Sequence, residues 1–120
     1  MSCEDEVNDG EFVGPDTVLP PGAKTVIFGG TDGHPVEGSS KYALWIKNTG
    51  TNPITEINLF KGPRTVGFMS QDTVATTGLV PLAAGKSEWI IISDEPLGRI
   101  RINATSLVGS KAQVILRGAR

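Results

Sequence analysis

No ten-residue window of this chain repeats its apolar positions at helical spacing, whereas several windows alternate at period two. In Lys41–Asn48 (KYALWIKN), Tyr42, Leu44 and Ile46 alternate with Ala43, Trp45 and Lys47. In Arg99–Ser106, Ile100, Ile102 and Ala104 alternate with Arg99, Arg101 and Asn103. Successive side chains of a strand point to opposite faces, so this pattern describes half-buried strands. Further strands are expected at Thr25–Phe28, Ile54–Lys61 and Lys111–Arg117, with weaker signals at Thr65–Ser70 and Thr73–Thr77. Ser87–Ser93 (SEWIIIS) carries the unbroken run Trp89–Ile92, which predicts a strand buried on both faces. The segments between are dense in turn formers, as in Asn48–Pro53 (NTGTNP), Gly62-Pro63 and Asp94–Gly98. The pattern predicts an all-β fold: an antiparallel β-sandwich of about seven or eight short strands over residues 23–120. At 120 residues the chain suits one domain with one core.

Charge divides the chain unevenly. Residues 1–40 hold eight acids and one base, for −7, and residues 41–120 hold ten bases and five acids, for +5, giving the overall −2. Residues 1–22 contain six acids, no base and the breakers Gly10, Gly14, Pro15, Pro20, Pro21 and Gly22. Such a stretch is short of apolar area to offset its ordering entropy, so it is expected to be a mobile, extended acidic N-terminal arm. Phe12, Val13, Val18 and Leu19 are its apolar anchors. The arm is either a solvated tail or a segment that orders on a neighbouring molecule.

The last two strands suggest a receptor for it. With Val108-Gly109-Ser110 as a three-residue hairpin loop, Ile102 would face Leu116, Ala104 would face Val114, and Arg101 would sit opposite Arg117. Opposed arginines either splay into water or, together with Arg99, receive an acidic partner such as the arm.

Residues with catalytic or ligating chemistry are sparse. Asp32-x-His34-x-x-Glu37 offers three ligand types in a Gly-rich loop but no fourth ligand, and a turn with solvated side chains is the simpler reading. Asp5, Asp9, Gly10 and Asp16 match four positions of a calcium-loop template, yet Val7 stands where a ligand is needed. Cys3, the single cysteine, cannot form an internal disulfide, and His34 has no nucleophile partner marked in sequence. No cofactor, metal or catalytic residue is therefore expected, and the chain is expected not to be an enzyme. The charge balance argues against nucleic acid as a partner. No apolar run approaches the ~18 residues of a membrane span, and the acidic N-terminus is unlike a secretory signal. The expected location is a virion if the chain is phage-encoded, and the cytoplasm otherwise.

Three stretches carry a resemblance. Residues 42–60 (YALWIKNTGTNPITEINLF), 82–92 (LAAGKSEWIII) and 97–107 resemble the strand–turn–strand and late core-strand segments of bacterial immunoglobulin-like modules, over roughly half the chain. That resemblance implies an Ig-like sandwich. In layout, a small free-standing sandwich behind a long arm is similar to the decoration (cement) proteins of bacteriophage heads. What this implies is a structural protein that binds a capsid lattice and neighbouring copies, with Phe12, Val13, Val18, Leu19, Arg99, Arg101 and Arg117 at the interfaces. The alternative is an Ig-like module recognising a protein or carbohydrate surface, for which Trp45 would be an anchor.

Overall fold

The computed structural model describes residues 11–36, 41–93 and 98–119. Alternation decides which residues meet in the core, and the backbone resolves them into ten strands. These are β1 (Phe12–Val13), β2 (Thr17–Leu19), β3 (Thr25–Phe28), β4 (His34–Pro35), β5 (Lys41–Asn48), β6 (Glu56–Gly62), β7 (Ser70–Gln71), β8 (Ser87–Ser93), β9 (Arg99–Thr105) and β10 (Ser110–Ala119). No helix occurs among the described residues.

The strands form two antiparallel sheets. In the first, β1 and β2 lie end to end along one edge of β10, followed by β5 and then β8. In the second, β3 and β4 share one edge of β9, followed by β6 and then β7. Counting β1–β2 and β3–β4 as single interrupted strands, every connection but β6–β7 crosses from one sheet to the other. That is the strand order of a jelly roll, two facing four-stranded sheets. It departs from the immunoglobulin order, in which the last two strands are sheet neighbours. The sheets bury Leu44, Ile46, Ile90, Ile92, Val114 and Leu116 from one side against Ile57, Leu59, Ile100, Ile102 and Ala104 from the other.

The expected β9–β10 hairpin is not formed. β9 pairs with β6, which sets Arg101 opposite Phe60, while β10 pairs with β5, which sets Arg117 opposite Ala43. Ile102, Ala104, Val114 and Leu116 do share one apolar environment, as expected. They share it across the sandwich rather than along one sheet. Gly109 does adopt the left-handed conformation (φ 95°), but it turns the chain between sheets.

The arm expected over residues 1–22 is, from Glu11 onward, part of the sandwich of its own chain. Phe12 and Val13 pair with Leu116 and Ile115, and Thr17–Leu19 pair with Ser110–Ala112. Between the two short strands the Gly14 N–H still donates to the Val114 carbonyl (2.8 Å), and Gln113 Nε2 donates to the Gly14 carbonyl (3.0 Å). A Cβ on Gly14 would stand 3.0 Å from that Val114 oxygen and 3.2 Å from the Phe28 ring, so the close approach favours glycine. Asp16 accepts from the Thr49 hydroxyl and lies 3.5 Å from Lys111 Nζ. Composition understated this segment because β10 supplies its hydrogen-bond partners, and only Leu19 needs to reach the core, where it is 1% exposed. The acids at 4–9, Cys3, Glu37 and the calcium-loop positions up to Gly10 lie outside the described residues.

One fully buried amide ties together the turns at one end. Asn48 Nδ2 donates to the carbonyls of Asn52 (2.8 Å) and Leu82 (2.9 Å), and its Oδ1 accepts from Ser110 Oγ (2.7 Å) and the Gly50 N–H (3.0 Å). All four of the amide's hydrogen-bonding positions are used. Gly50 is required there by proximity, since a Cβ would meet Ser110 Oγ at 2.3 Å.

Two outcomes follow. Asn48→Ala leaves the Ser110 hydroxyl and the Leu82 carbonyl buried without their partner and lowers the unfolding free energy by about 3 kcal/mol in urea titration. Deletion of residues 1–22, neutral for a mobile arm, removes Leu19 from the core and strips the edge of β10. It costs at least about 2 kcal/mol by the same measurement.

Candidate functional site

Alternation along β8, β5, β10 and β1 sends one set of side chains out from the first sheet, and this outward set is apolar at its centre. Cross-strand register aligns Trp89, Trp45, Ile115 and Val13 in one row across four strands. The next row holds Ile91, Ala43 and Arg117, with Glu11 at its margin; the row on the other side holds Ser87, Lys47 and Gln113. Trp45 and Trp89 are directly opposed, with ring centroids 5.6 Å apart and planes tilted by 45°. They remain 48% and 51% exposed, Ile91 is 59% exposed and Val13 57%. Full burial of a Trp removes about 150–250 Å², so the two half-exposed indoles leave on the order of 200 Å² of apolar surface in water. With Ile91 and Val13 the patch reaches the few hundred Å² of the largest, often functional, apolar patch on a typical protein surface.

The run Trp89–Ile92 is therefore not buried on both faces as expected. Ile90 and Ile92 enter the core, while Trp89 and Ile91 point outward. β8 is an edge strand with an apolar outer face, a pattern that sequence cannot separate from a doubly buried strand.

A shallow cleft of about 90 Å³ lies on this face between Glu11, Ala43, Trp45, Trp89, Ile115 and Arg117. Small-molecule sites run to roughly 300–1,000 Å³, so this one accepts no more than a side chain. The tilt of the two indoles likewise offers no flat double platform for a sugar ring. A broad apolar patch with a small dimple and charges of both signs at its border fits a protein surface.

The second sheet presents the opposite chemistry. Its outward rows pair Glu56 with Thr105, Asn58 with Asn103 and Phe60 with Arg101. Asn58 Nδ2 donates to Glu56 Oε2 (3.2 Å), which also lies 3.6 Å from Lys24 Nζ. The Arg101 guanidinium stacks 4.3 Å from the Phe60 ring centroid and donates through Nη1 to the Thr31 carbonyl (2.9 Å). Arg99 donates through Nε to the Arg64 carbonyl (2.8 Å) and through Nη1 to the Gly33 carbonyl (3.0 Å). Arg99 and Arg101 thus brace loops of their own chain, and Arg117 stands on the other sheet. The structure does not gather these three arginines into one receptor for an acidic segment.

The anchors Phe12, Val13, Val18 and Leu19 also separate. Leu19 belongs to the core, Val13 joins the outer aromatic row, and Val18 is exposed beside β10. Phe12 points between the sheets, where its ring stacks on His34 (centroids 4.5 Å) and meets Phe28 edge-on (5.8 Å). His34 also contacts Phe28 (5.1 Å). This places His34 in an aromatic clamp rather than in a ligand set, and no cluster of three metal-binding side chains occurs among the described residues. Trp89 and Ile91 are the residues of this outer face that sequence reasoning missed. The available signal was that Trp89 and Trp45 each sit at a strand centre at the same parity as a polar neighbour, Ser87 and Lys47.

The clamp has a pH signature. Desolvation between the rings holds the His34 pKa below its ordinary 6.5. The unfolded chain then binds more protons than the folded one as pH falls through about 6.5, so this stabilisation is complete above that value and declines below it, levelling off beneath the folded pKa. Asp72, whose carboxyl is held low mainly by its hydrogen bond to Lys61, loses its own contribution only in the acid range below 3.8. Urea titrations at about pH 7.5 and 5.5 are expected to show lower stability at the acid value, and His34→Gln removes most of that difference.

No family model matches the chain, and no curated protein does. Among solved structures, the chain is similar to one in the structure of the infectious bursal disease virus Gx strain, at 10% sequence identity and a TM-score of 0.36. The similarity covers 92% of this chain and 30% of the other, so the present chain spans about a third of its length.

Proposed function

We propose that this protein is a non-enzymatic assembly module that docks on a protein surface through the outer face of its first sheet. The observation that carries the reading is the row Val13–Ile115–Trp45–Trp89, an exposed aromatic and aliphatic band on one sheet of a sandwich whose other sheet is polar on its outer side, with Asn58, Asn103 and Thr105 buried there. Trp anchors at the centre of a patch supply much of the affinity of a protein interface, aliphatic neighbours help exclude water, and charged residues stand at the rim.

The finer reading is a virion structural component, of the decoration type, bound to a repeating coat. It is supported by analogy: the jelly-roll strand order is common in viral coat domains, although lectins and cupins share it. In this reading the N-terminal segment is not the hook. From Glu11 onward its hydrogen bonds are made to β10, and its contribution to the interface is Val13 at one end of the aromatic row.

The test is gradient sedimentation of particles produced by the organism that encodes the chain, followed by cross-linking to identify the neighbour. The protein is expected to travel with a repetitive protein shell. Trp45→Ser and Trp89→Ser shift it to the free fraction, since losing a central anchor costs at least about 2 kcal/mol, or some thirtyfold in affinity. Recovery only in the free fraction, with both substitutions silent, overturns the proposal.

A further inference from the structure

The two sheets have four edges, and three of them are blunted. The free edge of β10 is covered by β1 and β2. The β9 side of the second sheet ends in two short pieces, β3 and β4, with a bulge between Val26 and Phe28. The β6 side ends in β7, which is two residues long. Short strands, bulges and covering segments are the ordinary ways in which sheets avoid edge-to-edge contact.

The fourth edge is different. β8 runs seven residues, Ser87–Ser93, in unbroken register with β5. It contains no proline or lysine, and no other strand pairs with its far side among the described residues. Its one charge, Glu88, sits near the beginning of the strand and is exposed, so Trp89–Ser93 has no gatekeeper. An edge of this length spans about 23 Å and offers its free N–H and C=O groups to any extended partner.

We propose that β8 pairs antiparallel with β8 of a second copy, joining two first sheets across a two-fold axis at Ile90. The sequence of the strand is what selects this occupant. With Ile90 opposite Ile90 of the second copy, all seven residues of each strand are paired. Trp89 then lies opposite Ile91 on the outer face, twice by symmetry, so the two largest exposed apolar side chains of each strand cover each other. Moving the axis by one residue shortens the ladder and sets Trp89 opposite Trp89, or Ile91 opposite Ile91, with the remaining large side chain opposite serine. The two Glu88 carboxylates are offset by four residues, about 13 Å along the strand, where salt screens their repulsion.

The dimer would present the aromatic rows of both copies on one continuous face, although the pairing itself needs no ligand on that face. An edge contact alone buries well under the roughly 800 Å² per partner of a stable interface, so in free solution the dimer is weak, with a dissociation constant on the order of 10⁻⁴ M. Copies bound side by side on one surface meet at millimolar effective concentration, where such pairing is populated.

The experiment is sedimentation equilibrium of the full chain up to about 1 mM, paired with amide hydrogen exchange at low and high concentration. Mass is expected to rise from monomer to dimer, with protection gained in β8 and not in β7 or β10. Ile91→Lys places an ammonium beside Trp89 of the second copy and weakens dimerisation at least tenfold, as gatekeeper charges do on edges. Ile91→Thr, which keeps strand propensity, weakens it less, and both variants are expected to melt near the parent because the side chain is already exposed. Trp45→Ser, one strand inward, leaves the dimer intact while removing the docking of the previous section, so the two proposals fail separately. A chain monomeric at 1 mM, or a dimer with unchanged exchange in β8, overturns the inference.

Discussion

The structure depends on how β10 is completed. It is the longest strand, it pairs with β5 along one side, and its other side would be a bare ten-residue edge without β1 and β2. Backbone groups left unpaired beside a core cost far more than a lone hydrogen bond yields, which is why an acidic, proline-containing segment with few apolar residues is held there. Leu19 fixes one end of this cover and Phe12 the other, and the closure at Asn48 holds the start of β10 against the loops that follow β5. With that edge sealed, the sheet continues in the opposite direction through β5 to β8, beyond which no further strand pairs among the described residues.

The two outer faces then diverge. On the second sheet the arginines contact carbonyls and a phenyl ring of the same chain, and Glu56 and Asp72 have local partners. Its polar groups are only partly satisfied: Arg101 Nε, Asn58 Oδ1, Asn103 Oδ1 and Thr105 Oγ1 are buried without a hydrogen-bond partner. On the first sheet the central positions are indole, isoleucine, alanine and valine, and the nearest charges, Glu11, Arg117 and Lys47, stand at the border. The −7 and +5 halves seen in sequence therefore do not translate into one acidic and one basic surface. Asp16 of the acidic half meets Lys111 of the basic half, which cancels part of the imbalance within the fold, whereas Glu56 and Lys24 pair the minority charge of each half.

Much of the local structure was legible. Thr25–Phe28, Lys41–Asn48 and Ser87–Ser93 coincide with β3, β5 and β8, because period two and turn formers act over a few residues. What was not legible is which strands are neighbours. Ile102 and Val114 point into the same core whether their strands lie side by side or face each other, and alternation is identical in both cases. The hairpin reading chose the wrong one, and the pairing of Arg101 with Arg117 fell with it. The N-terminal segment failed for a related reason: composition weighs what a stretch can bury by itself, whereas β1 and β2 borrow hydrogen bonds from β10. Trp45 was noticed through its neighbour Lys47. Its partnership with Trp89 needed the β5–β8 register.

The border charges set what the aromatic face can do. Exposed ion pairs contribute about 0–1 kcal/mol each and weaken with salt, so Glu11, Arg117 and Lys47 cannot hold a partner. They can orient one, since opposite signs at one margin and a lone lysine at the other reject a partner approaching in the reversed sense. Affinity then rests on water leaving Trp45, Trp89 and Ile91, which is insensitive to ionic strength. In the docking proposed above, a surface of this kind would hold on through apolar contact and be positioned by charge. Next to an open strand edge that can extend the same face, it suits repeated copies on a shared support better than capture of a single soluble ligand.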